Sequence, residues 1–225
     1  ISRCGKYNEK GVGMFEIEYK GANAVIITTK KLRVVFDPNL EIVGGKNVPV
    51  DNDVEVVTED RFAVVDSTPR LLFSGPGEYE VGDISLLGIP ARRHIDTADD
   101  VKKSTIYKIT IGEAKGVVVG NIENKLTDDQ LENIGVVDFA ILPVGGNGYT
   151  LDAMGATSII RQLDPKVVIP VHYNDATLHY EVPQNGVDEF VKNLGAPVVE
   201  AGSKWKLKKI TDLPDNLTVV QISKS

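Results

Sequence analysis

Residues 136–174, VVDFAILPVGGNGYTLDAMGATSIIRQLDPKVVIPVHYN, restrict the possible folds more than any other stretch of this chain. Val136 to Pro143 and Val167 to Val171 are short continuous apolar runs, the pattern of strands covered on both faces. Each meets a proline near its C-terminal end, Pro143 and Pro170, which removes a ladder donor and stops the pairing there. Between them Ala156, Ile159, Ile160 and Leu163 recur at i, i+3, i+4 and i+7, which predicts a helix with one apolar face. Thr150 or Asp152 would cap its start, and Asp164-Pro165 ends it. A strand–helix–strand unit delivers both strand ends to one sheet edge. The polar residues at those ends, Asn147, Tyr149, Asp152, His172, Tyr173 and Asn174, mark where a site would form.

The chain before this unit reads as strand after strand. Phe15 to Tyr19, Ala24 to Thr28 and Leu32 to Phe36 are separated by short polar turns, the signature of hairpins. Residues 41–53 read as a loop. Val54 to Val57, Phe62 to Val65, Leu71 to Phe73 and Ile84 to Ile89 follow as strands, with a Gly75-Pro76-Gly77 turn among them. A polar segment runs from Arg92 to Ser104, and Ile106 to Ile111 pairs with Val117 to Val119 around Gly112. Thr127 and Gln130 form a capping box over a short helix ending near Gly135. After the central unit come a helix over Val187 to Leu194 closed by Gly195, an edge strand over Lys204 to Ile210, and a last strand over Leu217 to Ile222. Eleven or twelve strands against three helices, the strands leading, predict two layered sheets with helices outside. Residues 1–13, charged and glycine-containing, read as a leader or an appended remnant, and residues 14–225 as a single domain.

Charge and cysteine usage narrow the function. A net charge of −7 argues against nucleic acid, whose binders need a basic face to release phosphate counterions. No apolar run approaches the ~18 residues of a membrane span, so no membrane partner is expected. The single cysteine, Cys4, excludes an internal disulfide and a cysteine-built zinc cluster, in keeping with a reducing cytoplasm. The partner these features leave is a small molecule, and Arg92-Arg93 is suited to an anionic one. A homo-oligomer is compatible with all of them.

Three pieces, GANAVIITTKKLRVVFDPNL at 21–40, FSGPGEYEVGDISLLGIP at 73–90, and VVDFAILPVGGNGYTLDA with PKVVIPVHYN, resemble the metallo-β-lactamase superfamily. The nearest branch is similar to its small hydrolase-like proteins, those related to ascorbate-6-phosphate lactonases. The resemblance implies an α/β fold, an αββα four-layer sandwich of two mixed sheets packed face to face with helices outside. It also implies a metal site between the sheet edges, built on His-x-His-x-Asp-His directly after a buried strand ending in threonine. In that register, after Val54 to Thr58, the motif positions hold Glu59, Arg61, Ala63 and Val64. His94 falls at the third histidine, His172 at the final one, and the bridging aspartate is replaced by Asn121 in Gly120-Asn121.

Two functions follow. The first is a degenerate member that keeps the fold without the metal, with no cofactor expected. The alternative is a metal-dependent hydrolase of lactones, esters or phosphoesters, holding zinc or another divalent metal at a reduced site of His94, His172 and Asp37 or Asp152. The candidate catalytic residues are His172, Asp152 and Asp37; a metal, if bound, falls to His94, His172 and Asp37. Glu59, Arg61, Glu78, Asn121, Asn147 and Tyr149 are the candidates to line the cleft. Bland readings stand beside these: Asp37 and Glu78 serve turns as readily as chemistry, and Gly145 to Gly148 reads better as a tight turn than as a phosphate cradle. Arg61 is expected at the same cleft mouth as His172, paired with Asp37 or Asp152 in place of a cation. The helix after Tyr149 is expected to aim its N-terminus into the cleft and attract anions near Gly146 to Leu151.

Overall fold

The computed structural model describes residues 15–93 and 103–225, so residues 1–13, Met14 and His94 lie outside the described residues. The early hairpins form as their alternation dictates. Strands β1 (Phe15–Gly21), β2 (Ala24–Thr28) and β3 (Arg33–Phe36) run antiparallel in sequence, and β4 (Val54–Val57) and β5 (Leu71–Ser74) continue the sheet parallel to β3. Strands β6 (Gly77–Val81), β7 (Ile84–Arg92), β8 (Lys103–Ile111) and β9 (Ala114–Val118) make an antiparallel meander. Helix α1 (Asp128–Ile134) leads into the central unit: β10 (Phe139–Pro143), α2 (Ala153–Leu163) and β11 (Val167–Val171). Helix α3 (Val187–Leu194), β12 (Val198–Glu200), β13 (Trp205–Leu207) and β14 (Thr218–Gln221) complete the chain.

These strands assemble into a six-stranded sheet, ordered β13-β1-β2-β3-β4-β5, and an eight-stranded sheet, ordered β12-β14-β11-β10-β9-β8-β7-β6. The inner faces share one core, in which Phe15, Val25, Phe36 and Val56 meet Tyr107, Ile109, Phe139 and Ile169. The outer face of the larger sheet is covered by all three α-helices. Ile134, Ala156, Ile159, Ile160 and Phe190 pack on Val117, Ala140, Val168 and Val219. Fully burying an isoleucine stabilises by roughly 1.5–3 kcal/mol, so the apolar face of α2 is what fixes that helix on its sheet. This is the sandwich expected from the sequence.

Its fourth layer differs. Over the six-stranded sheet, Ala24, Ile26 and Val35 are covered by Leu40, Val43, Val48, Val50 and Leu178, side chains of loops and a 3₁₀ turn at Glu41–Val43. Loop side chains do there what helices do on the other side.

Some local expectations held and others failed. Thr127 and Gln130 form the capping box, Asp152 takes the N-cap of α2, and Gly195 closes α3 with φ +67°. The segment read as a strand over Phe62 to Val65 instead follows a 3₁₀ turn, Asp60–Phe62. The cause is local: the Glu55 carboxylate accepts a hydrogen bond from the Val64 amide (2.9 Å) and diverts the chain from the ladder. Strands β6 and β12 were not expected, because both lie at the edges of the larger sheet and lack a continuous apolar run. The edge strand expected over Lys204 to Ile210 shortens to Trp205–Leu207 and ends in a 3₁₀ turn. Among the described residues no helix is long and apolar enough to cross a membrane.

Candidate functional site

The topology brings the ends of β3, β4, β7, β9, β10 and β11 to one edge, and the polar residues just past those ends meet there. Asp37 follows β3, Thr58 and Glu59 follow β4, and Arg93 follows β7. Asn121 lies shortly after β9, Thr150 in the β10–α2 loop, and His172 directly after β11. Gly120 makes this convergence possible. Its φ is +69°, and a Cβ there would lie 2.9 Å from the Thr58 side chain, so a larger residue would force the two sheets apart at this corner.

Glu59 is the hub. Its Oε2 lies 2.9 Å from Nε of Arg61 and 3.3 Å from Nε of Arg93, and its Oε1 accepts a hydrogen bond from Nδ2 of Asn121 at 3.0 Å. Asn121, with none of its surface exposed, accepts in turn from Thr150 Oγ1 (2.8 Å) and Asn23 Nδ2 (3.2 Å). The result is a chain of polar groups running from the β1–β2 turn through Asn121 to a carboxylate held by two guanidinium groups. Both guanidinium groups also stand over the Tyr149 ring, at 5.2 Å and 5.8 Å from its centroid.

Tyr149 carries the arrangement to His172, its ring stacked on the imidazole at 5.5 Å and 16°. Tyr180 packs on His172 from another direction at 5.0 Å. His172 is 1% exposed, donates its backbone N–H to Ala22 O at 2.8 Å, and has φ +49°. Burial takes its pKa down to about 4, so the ring is neutral at neutral pH. Arg61 and His172 therefore share one end of the sandwich, as the strand register implied.

Several roles expected from the sequence do not survive the geometry. Arg61 pairs with Glu59, not with Asp37 or Asp152, because Glu59 is two residues away on the same turn and both of the others are engaged elsewhere. Asp37 accepts from the Thr58 amide and faces the Thr58 hydroxyl, each at 2.7 Å, and burial pushes its pKa up to about 8. A carboxyl that holds its proton at neutral pH is not a ready base. Asp152 spends its carboxylate on the N-cap of α2, accepting from Gly155 N at 2.7 Å.

The turn into α2 offers little to an anion. Two of its amides are used internally, Gly146 to Leu151 O at 3.0 Å and Tyr149 to Gly146 O at 3.3 Å. Gly145 is small for packing reasons, since a Cβ there would lie 2.3 Å from the His172 carbonyl oxygen. Asn147 is exposed and binds the 183–185 loop through Pro183 O and Asn185 Oδ1. Glu78 stands exposed on β6, while its neighbour Tyr79 turns inward and stacks on Phe73, so Glu78 does not join the cluster. His94 cannot be placed, lying outside the described residues.

Thr150 and Asn23 were not singled out as site residues from the sequence, and Arg93 was named only together with Arg92 as suited to an anionic partner, not as a residue of the cleft. Arg93 is 9% exposed, and its parity signals burial: Ile89, Ala91 and Arg93 alternate along the face of the strand that the helices cover. A cavity of about 790 Å³ opens beside Glu59, walled by Thr58, Ile89, Ser104, Ile122 and Gln130.

The donor set at the hub does not suit a divalent cation. It consists of one carboxylate opposed by two guanidinium groups, with an amide and a hydroxyl behind it. Among the described residues no three His, Cys, Asp or Glu side chains converge closely enough to hold a metal ion.

Comparison with known proteins fits the architecture. A metal-dependent hydrolase of Nanoarchaeum equitans is 28% identical over 182 residues, covering 71% of this chain and 84% of its own. Another, from Saccharolobus solfataricus, is 24% identical over 216 residues, covering 81% of this chain and 94% of its own. Among solved structures, Igni18, a metallo hydrolase from Ignicoccus hospitalis, superposes with a TM-score of 0.60 at 16% identity, covering 86% of this chain and 98% of its own. A Thermotoga maritima protein classed with the Zn-dependent hydrolases of the metallo-beta-lactamase superfamily reaches 0.70 at 21% identity, covering 93% of this chain and all of its own. The description Beta-lactamase superfamily domain matches residues 16–172, from the second residue of β1 to the histidine after β11, and with the two stacked sheets it makes this chain a member of the metallo-β-lactamase superfamily.

Proposed function

We propose that this chain is a degenerate member of its superfamily, in which an internal ion-pair cluster stands where its relatives' chemistry needs a cation. It acts by binding a small anionic molecule and not by metal-dependent hydrolysis. The observation that carries this reading is Glu59 clasped by Arg61 and Arg93 at the end of β4. A metal brought to that carboxylate would have to displace two fixed positive charges, and Asn121 adds only a neutral amide. Neutral His172 and protonated Asp37 supply no compensating charge from behind.

The same arithmetic favours an anion. Two guanidinium groups against one carboxylate leave that cluster one unit positive, with the exposed Asp60 beside it, and the Arg61 side chain is 31% exposed. An anionic group could pair with the outer edge of that guanidinium while the Tyr149 ring supports its face. The cavity beside Glu59, lined by Arg92, Lys103 and Lys125 as well as Asp60, Glu123 and Asp129, is within the size range of small-molecule sites, roughly 300–1,000 Å³.

The test has two arms, both on untagged protein purified without chelators. Elemental analysis is expected to find far less than one zinc, iron or manganese per chain. Near one metal per chain, lost on His172→Ala, would restore the hydrolase reading that the relatives' names favour. Titration with phosphate, sulfate and small carboxylates is expected to raise the melting temperature, and Arg61→Gln to abolish that gain.

A further inference from the structure

Strand β5 ends the six-stranded sheet with one side of its ladder open. Leu71 turns its amide toward β4, at 3.5 Å from Asp53 O, so by strand alternation the N–H and C=O of Leu72 point away from the sheet. Apolar surface accompanies this edge: Leu72 is 50% exposed, Leu71 38% and Val65, on the preceding loop, 89%. An edge of this kind normally carries lysine, proline or a bulge to prevent pairing. Within β5, Leu-Leu-Phe-Ser has none of these.

We propose that β5 pairs antiparallel with β5 of a second copy of this chain, about a two-fold axis through Leu72. The strand is self-complementary in that register. Leu72 faces its own copy, and its free N–H and C=O close a reciprocal pair of hydrogen bonds. Leu71 falls opposite Phe73, and Arg70 opposite Ser74.

Charge selects this register. The Ser74 hydroxyl donates to the Asp60 carboxylate, so each pole of the interface carries an exposed acid. Arg70, exposed at the other end of the strand, forms no ion pair among the described residues. Two-fold pairing places each Arg70 against the partner's acidic end, making two symmetric contacts. The other apolar edge, β12, has no such complement. Val198 and Val199 are 40% and 50% exposed there, but Glu200 is the strand's only charged residue and would meet no cation on a copy of itself. The Arg70 amide is already given to Asp53 O at 2.8 Å, so the Leu72 pair carries the backbone bonding and the interface is small; the dimer is weak, with a Kd on the order of micromolar.

Sedimentation velocity on the whole chain, from about 1 to 100 µM, tests this. The expected result is a monomer–dimer equilibrium that Leu72→Asp weakens at least tenfold and Arg70→Glu weakens several-fold, with circular dichroism and melting temperature near wild type. Combining Arg70→Glu with Asp60→Arg restores each opposite-charge contact across the axis and is expected to recover dimerisation. A strictly monomeric wild type overturns the proposal. So does a dimer indifferent to Leu72→Asp, or open-ended polymers, which would mean that β5 pairs with a different edge.

Discussion

The Glu59 carboxylate and the Arg93 guanidinium meet across the gap between the two sheets, Oε2 to Nε at 3.3 Å. Glu59 extends from β4 of the six-stranded sheet and Arg93 from β7 of the eight-stranded one, so this contact joins the two sheets at the edge of the candidate site. Glu59→Gln removes the charge that both guanidinium groups share. Breaking a buried ion pair costs about 3–5 kcal/mol, and the partial exposure of Arg61 reduces the expected loss here to about 2–3 kcal/mol. Urea unfolding measures it. A loss below half a kilocalorie would show that the cluster is a solvated group of charges and not a structural centre.

The sequence made some of this site legible. The apolar runs of β10 and β11 and the periodicity of α2 placed Tyr149 and His172 at one edge, because burial on both faces leaves little freedom in register, and the resemblance to the superfamily brought Glu59 and Arg61, after β4, to the same edge. What it could not show was which acid Arg61 would choose. That depends on the turn at Asp60–Phe62, which is set by the capture of the Val64 amide by Glu55 rather than by any pattern of hydrophobicity. Arg93 was read only as half of a pair with Arg92, because two adjacent arginines look alike in a sequence. In a strand they point to opposite faces, one to solvent and one into the core edge.

Asn121→Asp tests the cluster against the metal reading in one variant. The new carboxylate oxygen would face Glu59 Oε1 across the 3.0 Å now bridged by an amide donor. With like charges this close, one of the two acids takes up a proton, and the variant is expected to lose about 1–3 kcal/mol at neutral pH. The loss should shrink as the pH falls toward 5. Zinc at stoichiometric concentration is expected to return none of it. Recovery on adding zinc would mean that the corner still accepts a cation once an acid replaces the amide.

Gly145→Ala probes why the glycine turn before α2 exists. The added methyl would lie 2.3 Å from the His172 carbonyl oxygen and 2.4 Å from Gln184 Oε1, backbone on one side and a buried amide on the other. Overpacking of this kind typically costs 1–3 kcal/mol, and here about 3 kcal/mol is expected because a backbone atom must yield. Gly148→Ala, with open space around its would-be Cβ, is strained only by its φ of +77° and should cost about 1 kcal/mol. Equal losses at the two positions would refute the packing account of Gly145.

Asp37 and His172 should leave opposite marks on the pH dependence of stability. In the folded chain Asp37 keeps its proton up to about pH 8, whereas an unfolded aspartate loses it near pH ~4. Its raised pKa makes a contribution to stability that is complete below pH ~4 and is lost as the pH climbs through about 8. Folded His172 refuses a proton down to about pH 4, whereas an unfolded histidine takes one up near pH ~6.5. Its contribution is complete above pH ~6.5 and is lost as the pH falls toward about 4. Between roughly pH 4 and 6.5 the two cancel, and from there to about 8 only Asp37 remains, a decline approaching about 1.4 kcal/mol per pH unit. Asp37→Asn preserves both contacts with Thr58, its amide oxygen accepting from the backbone N–H and its NH₂ donating to the hydroxyl. Relative to wild type it should gain stability steadily from pH 4 to 8. His172→Asn tolerates the left-handed backbone of that position and should instead change the profile only below pH ~6.5. Urea titrations of the three proteins at half-unit pH steps give these difference curves directly. Parallel profiles for wild type and Asp37→Asn would show that Asp37 is ionised in the folded chain, adding the negative charge that the anion-binding cluster is proposed to lack.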